Sequence, residues 1–102
     1  MSIIPKDTNL FVLDLEYLVP LAQVDVFAKA HVEFLDRVYA DGSIIMSGPK
    51  APRTGGVIIA IGSSKDEVAA VFHQDPFHTE GVARYTMTEF VPRKAVAGMK
   101  SD

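Results

Sequence analysis

The chain has 102 residues, of which 48% are hydrophobic and 23% charged, and it contains no cysteine. This composition is typical of one globular domain and excludes a disordered chain. The lack of cysteine excludes disulfides, thiolate nucleophiles, iron–sulfur clusters and cysteine-based zinc sites, and it favours a reducing compartment. The formal net charge is -3 and the basic residues are scattered, so nucleic acid is a poor candidate partner.

The apolar runs of the sequence are short. The run at residues 57–61 is among the longest, far below the ~20 residues that a transmembrane helix needs. Residues 1–9 lack the long apolar stretch of a secretion signal. We therefore expect a cytoplasmic protein with no membrane partner.

The predicted elements begin with a strand at residues 10–17, where apolar and polar residues alternate. After Pro20, apolar residues recur at three- and four-residue steps, which predicts an amphipathic helix. Asp25 is the expected cap of this helix, with residues 21–24 as a lead-in turn. Gly42 ends it, because glycine takes the left-handed conformation at little cost.

Two short apolar runs, at residues 44–47 and 57–61, predict the second and third strands. Ser64 then opens a second helix, and Glu67 three residues later completes a capping-box pattern. Pro76 is expected to stop that helix, since proline disfavours the helical conformation in the residue before it.

A turn at residues 77–81 and a fourth strand at 83–91 complete the pattern. The order β-α-β-β-α-β predicts an α+β, ferredoxin-like fold with a four-stranded antiparallel sheet and two helices on one face. We expect residues 1–102 to form a single domain, with a core at about 9–91 and a C-terminal tail at 92–102.

The second and third strands are apolar on both faces, as in strands that are buried on both sides. Two helices cover only one face of the sheet. A second copy of the chain is the simplest cover for the other face, so we predict a homodimer with its sheets packed face to face.

His31 and Asp75 are the main candidates for chemistry. His31 lies within the apolar stripe of the first helix, where a titratable ring is either a satisfied core histidine or faces a pocket. Asp75 is expected at the C-terminal end of the second helix, where its charge opposes the helix dipole. The two helices run antiparallel, so the carboxylate can fix the tautomer of the imidazole and favour its charged form. Alternatively, Asp75-Pro76 merely stops a helix.

Ser47 and Arg53 are candidate substrate-binding residues. Ser47 precedes Gly48-Pro49 and can bind a substrate oxygen, but it lacks the strand–turn–helix context of a nucleophilic serine. Arg53 and the following glycines offer a cation and backbone N–H groups to an anion, or simply form a turn.

Other polar residues carry weaker signals. His73 and His78 raise the question of a metal site, but their spacing matches no known ligand pattern, and we expect exposed histidines and no metal. Tyr17, Tyr39 and Tyr85 either line a pocket or serve packing.

Several short motifs together resemble the YciI-like (YCII-related) family. They are residues 30–35 around His31, then Ser47-Gly48-Pro49, Gly55-Gly56, and Asp75-Pro76-Phe77 followed by Gly81. The resemblance runs from about Leu10 to Val91, and Val32 stands where a leucine is frequent.

The resemblance implies a ferredoxin-like domain assembled as a dimeric α/β barrel. It also implies an active site built on a His–Asp pair, which maps onto His31 and Asp75, with Ser47 nearby. Dehydrochlorination of a chlorinated hydroxyquinol is associated with the family, and muconolactone isomerases share the architecture.

The placement of these residues and the family resemblance together imply a small enzyme of the lyase or isomerase type that uses no cofactor. His31 would act as general acid/base on a small oxygenated cyclic or aromatic-derived metabolite, and Asp75 would orient it. Ser47 and Arg53 would hold a substrate oxygen. Two alternatives stay open, a non-catalytic small-molecule-binding or accessory module and a purely structural dimer with a filled interior.

Overall fold

The computed structural model describes residues 2–101, which form a four-stranded antiparallel sheet and four helices. The elements are β1 (Asn9–Tyr17), α1 (Leu21–Val26), α2 (Ala28–Ala40), β2 (Ile44–Pro49), β3 (Gly55–Gly62), α3 (Lys65–Phe72), α4 (Pro76–Thr79) and β4 (Ala83–Phe90). In space the strands follow the order β2-β3-β1-β4. This is the α+β architecture that the sequence predicts.

The core lies between the helices and one face of the sheet. On the central strand β1, alternate side chains are fully or almost fully buried, because they point towards the helices. Helix residues such as Phe34 on α2 and Phe72 on α3 pack in the same cluster. The buried β1 residues are Phe11, Leu13 and Leu15.

The first predicted helix is divided at Phe27, and the expected cap was wrong. Phe27 is the N-cap residue of α2, and no side chain caps this end. Asp25 instead lies within α1, where its carboxylate accepts a hydrogen bond from Arg53 across the loop after β2. Gly42 does adopt the left-handed conformation after α2, with a φ of 78°.

The second predicted helix begins as expected and ends differently. The Ser64 hydroxyl accepts a hydrogen bond from the Glu67 N–H at 3.1 Å, whereas the Glu67 carboxylate bonds Ser63. Helix α3 ends at Phe72. Pro76 does not follow a helix end directly but opens the short helix α4, so the segment expected as a turn contains a helix.

The C-terminal segment returns to the N-terminal one. Ile4 and Lys100 form an isolated parallel bridge, in which the Ile4 N–H donates to the Met99 carbonyl at 2.7 Å. Ile4 itself is buried.

Within residues 2–101, none of the helices has the length and apolar character needed to cross a membrane.

The start of β3 leaves no room for a side chain at Gly55. A Cβ atom there would lie 1.8 Å from the Leu15 carbonyl oxygen, whereas one at Gly48 on the neighbouring strand would have no heavy atom within 4 Å. Gly55→Ala should therefore lower the free energy of unfolding by about 2–4 kcal/mol. Gly48→Ala is the matched control and should change it by less than about 0.5 kcal/mol. Urea denaturation measures both, and equal stabilities would contradict the close strand approach.

Candidate active site

Asp75 is the buried charged residue at the centre of the site. Its exposed fraction is 0%, and it is the N-cap of α4, where its carboxylate accepts a hydrogen bond from the Phe77 N–H at 3.0 Å. The expectation that Asp75 closes a helix and opposes its dipole was therefore wrong. A carboxylate at a helix N-terminus interacts favourably with the free N–H groups there.

His31 meets Asp75 from the first turn of α2. Its Nδ1 atom lies 2.9 Å from each of the two carboxylate oxygens. The ring also stacks on Phe77 with a centroid distance of 3.9 Å and an interplanar angle of 4°. Asp75 and Phe77 thus fix both the direction and the plane of the imidazole. Since Asp75 engages Nδ1, Nε2 is the ring nitrogen left for a ligand.

Tyr85 on β4 is the third partner of the carboxylate. Its hydroxyl donates a hydrogen bond to Asp75 Oδ2. Burial raises the pKa of Tyr85, and the negative charge of Asp75 and the hydrogen bond raise it further. The phenol therefore stays neutral and remains a donor. Donors from α2, α4 and β4 converge on one carboxylate.

A cavity of about 300 Å³ opens beside this network, between α2, α4 and the β2–β3 hairpin. His31, Ser47 and Arg53 all line it, whereas Asp75 lies behind His31 and does not. The remaining walls are mostly apolar or aromatic and include Leu15, Tyr17, Leu35, Ile58 and Phe77. Three of the four predicted site residues thus share one cavity, and the fourth supports one of them.

A β-bulge turns Ser47 towards the cavity. Ile44 pairs with Ala60, but after a register shift Met46 pairs with Ile59 and Ser47 with Ile58. Ile58 belongs to the core, so Ser47 shares its face of the sheet. The Ser47 Oγ atom lies 2.6 Å from the hydroxyl of Tyr39 on α2.

Arg53 lies at another wall of the cavity and is held by two neighbours. Its Nη2 atom donates to Asp25 Oδ1 at 2.6 Å, and its guanidinium lies 5.8 Å from the Tyr17 ring centroid. The hydrogen bond to Asp25 raises the pKa of Arg53, so the group remains a cation. The side chains of Arg53 and Asp25 are 40% and 54% exposed, so solvent screens this ion pair.

His73 and His78 lie outside the cavity. Their rings stack on each other at 4.7 Å, and both residues are exposed. In residues 2–101 there is no group of three or more metal-ligating side chains.

Sequence reasoning missed the roles of Tyr85, Phe77 and Tyr39. A signal existed for Tyr85, since it alternates with Ala83 and Met87 on the helix-facing side of β4. Phe77 was assigned to the turn after Pro76, and its stacking on His31 depends on the unpredicted helix α4.

The hydrogen bond from Tyr85 should be visible in the pH dependence of stability. Near pH 8, Tyr85→Phe should lower the free energy of unfolding by about 1.5–3 kcal/mol, because a buried carboxylate loses a donor. Tyr85 has an ordinary pKa of 10.0 and a higher one when folded. Below pH 10 the Tyr85 hydroxyl keeps its proton in both the folded and the unfolded protein. Above pH 10 the unfolded protein loses this proton, whereas the folded protein keeps it.

Stability of the unchanged protein should consequently fall above pH 10, with a contribution from Tyr85 of up to about 1.4 kcal/mol per pH unit. Tyr85→Phe should remove that contribution, so the two stability curves converge as the pH rises. Val68→Ala, which removes buried methyl groups and no titratable group, is the control and should lower stability while keeping the original slope. Urea denaturation between pH 8 and 11.5 makes the comparison, and parallel curves for all three proteins would refute it.

Known proteins resemble this chain in sequence and in fold. The family model of the YCII-related domain matches residues 10–91. The uncharacterized protein YjpA of Bacillus subtilis (strain 168) is 33% identical over an alignment of 82 residues, and the match covers 76% of this chain and 96% of YjpA.

Two solved structures share the fold. The 5-chloro-2-hydroxyhydroquinone dehydrochlorinase TftG of Burkholderia phenoliruptrix AC1100, in complex with 2,5-dihydroxybenzoquinone, has a TM-score of 0.68 at 24% identity and covers 79% of this chain and 92% of its own. The cofactor-independent oxygenase SnoaB of Streptomyces nogalater has a TM-score of 0.52 at 13% identity, covering 89% and 98%. The family match and the relationship to YjpA establish that this chain belongs to the YCII-related domain family.

Proposed function

We propose that the protein is a small enzyme of the lyase or isomerase type in which His31 is the general acid/base. The observation that carries the proposal is the His31–Asp75 pair at the wall of the cavity, with Nδ1 2.9 Å from a fully buried carboxylate. A histidine held in this way has a defined tautomer. Its Nδ1–H donates to Asp75, and the unprotonated Nε2 is available to a substrate.

The proposed reaction starts when Nε2 takes a proton from an acidic C–H or O–H group of the substrate. The electron pair of the broken bond stays on the substrate, where an adjacent carbonyl oxygen receives the negative charge. Asp75 stabilises the imidazolium that forms. The anion then either expels a leaving group, as in a lyase, or takes the proton back from His31 at another atom, as in an isomerase.

The cavity supports a substrate with one small oxygenated ring. Its volume of about 300 Å³ lies at the lower end of small-molecule sites, and its apolar walls suit a flat ring. Ser47 and Arg53 are the proposed substrate-binding residues and would hold its oxygens. TftG, which shares the fold, is a dehydrochlorinase seen with 2,5-dihydroxybenzoquinone, and SnoaB is a cofactor-independent oxygenase. No cofactor is needed for the proposed proton transfers, and the absence of cysteine favours the cytoplasm.

Turnover of activated cyclic substrates tests the role of His31. The panel consists of 5-chloro-2-hydroxyhydroquinone, unsaturated five-membered lactones and ring ketones in deuterated water. We expect chloride release, isomerisation or deuterium incorporation with at least one member. His31→Gln should lower kcat by about 10²–10⁴-fold, the usual contribution of a general acid/base. Asp75→Asn should lower kcat as well and change the ring tautomer, which ¹⁵N chemical shifts of His31 report.

His78→Gln is the matched control, because it alters an exposed histidine outside the cavity. It should leave kcat unchanged. Binding of 2,5-dihydroxybenzoquinone without turnover of any panel member would favour a non-catalytic binding module. Equal turnover by the protein and its His31→Gln variant would remove His31 from the mechanism.

We also propose that the protein is a homodimer that packs through the open face of its sheet. The strand register places Leu10, Val12, Met46, Ile59, Ile61 and Phe90 on the face opposite the helices. Met46 is 57% exposed and Phe90 is 43% exposed. Towards the other end of this face, Lys50 bonds Asp14 at 2.8 Å. The open face of the sheet thus has an apolar half and a half that carries an ion pair. Such a face can pack against the same face of a second copy related by a two-fold axis.

The molecular mass in solution tests the dimer. Met46→Lys places a charge in the apolar half and should raise the concentration at which dimers dissociate by at least tenfold. Val96→Lys changes a residue of similar type that is 72% exposed outside the sheet, and it should have no effect. Sedimentation velocity measures both. A monomer at micromolar concentration for the unchanged protein would refute the dimer.

A further inference from the structure

We propose that Tyr39 is a positioning residue that directs the Ser47 hydroxyl into the cavity, where Ser47 donates a hydrogen bond to the substrate oxygen that becomes negatively charged. The inference rests on the proposed function for its account of the reaction. It also specifies the substrate class as a flat ring ketone, quinone, lactone or phenol whose oxygen becomes an enolate or a phenolate.

Tyr39 and Ser47 form a hydroxyl pair at the edge of the cavity. The two oxygens are 2.6 Å apart, a strong hydrogen bond for hydroxyl groups. Ser47 lines the cavity, whereas Tyr39 does not line it and has an exposed fraction of 38%. Tyr39 and His31 are both on α2, two turns apart, so one rigid helix sets the positions of both groups.

The direction of the hydrogen bond follows from acidity. A phenol is a stronger acid than an aliphatic alcohol and so a stronger hydrogen-bond donor. The stable arrangement has the Tyr39 O–H donating to Ser47 Oγ. The single proton of Ser47 must then point elsewhere, and Ser47 Oγ has no other hydrogen-bond partner within residues 2–101. A donor that already accepts a hydrogen bond is itself polarised and donates more strongly.

The Ser47 hydroxyl would stabilise the negative charge that the proposed proton transfer to His31 creates on the substrate. When Nε2 removes a proton from the carbon beside a carbonyl, the C–H electrons form a C=C bond and the carbonyl π electrons move to oxygen. A fixed donor at that oxygen stabilises the anion more than the neutral ketone, which lowers the barrier. Arg53 is less suited to this role, because its guanidinium is 40% exposed and paired with Asp25, so solvent screens its interaction with a developing charge.

Binding of 4-nitrophenolate tests the pair without any turnover. This ion is a flat ring with a charged oxygen, and its absorbance changes on binding. Nitrobenzene, which lacks that oxygen, is the reference ligand. Tyr39→Phe and Ser47→Ala should each weaken phenolate binding by about tenfold, as expected for a charge-assisted hydrogen bond. Nitrobenzene binding should change by less than twofold.

The double variant should bind phenolate no more weakly than Ser47→Ala alone, since Tyr39 acts only through Ser47. Ser63→Ala, outside the cavity, is the matched control and should bind both ligands normally. Additive losses in the double variant, equal losses for both ligands, or no phenolate binding by the unchanged protein would each overturn the inference. Failure of the enzyme proposal gives a different result. In that case the His31→Gln variant would turn over substrate as fast as the unchanged protein, while the expected differences in phenolate binding would still be observed.

Discussion

The position of the elements around the candidate active site depends on the buried carboxylate of Asp75. A carboxylate removed from water is very unfavourable unless donors replace its hydration. Here the His31 ring, the Phe77 N–H and the Tyr85 hydroxyl replace it, and they belong to three different elements. A shift of α2, α4 or β4 would leave part of the charge unpaired in the interior. The group that orients the candidate base therefore also locks together the helices and the strand around it.

Local sequence signals predicted both members of the His31–Asp75 pair, but they did not predict that Asp75 is the N-cap of a helix. The apolar stripe through His31 and the capping pattern at Ser64 indicated two helices, and the antiparallel arrangement expected of them predicted the contact between His31 and Asp75. Pro76 was interpreted only as the end of a helix. Proline is also favoured at the first position of a helix, where its missing N–H costs nothing. That second property makes Asp75 an N-cap, so its charge is favoured by the helix rather than opposed.

Contacts set by strand register could not be predicted from the sequence. Simple alternation from the buried Ile44 would place Met46 on the core face and Ser47 on the open one. The bulge between Ile44 and Met46 reverses this, which brings Ser47 to the cavity and exposes Met46. The pairing of Arg53 with Asp25 likewise depends on a contact between the β2–β3 loop and α1, which are far apart in the sequence. Alternating polarity predicts which side chains of a regular strand lie on the same face. One inserted residue moves all the side chains after it to the opposite face, and the alternation does not reveal that residue.

The three polar groups at the cavity follow one arrangement, since each forms a hydrogen bond with a residue that does not itself line the cavity. Asp75 holds His31, Tyr39 holds Ser47, and Asp25 holds Arg53. A group fixed before the substrate arrives loses little conformational freedom when it binds, so more of its interaction energy is available to the transition state. The supports differ in strength, because Asp75 is fully buried whereas Asp25 is 54% exposed and screened by solvent. The proposed proton transfer at His31 would accordingly be insensitive to salt, while any contribution of Arg53 to anion binding would weaken as ionic strength rises.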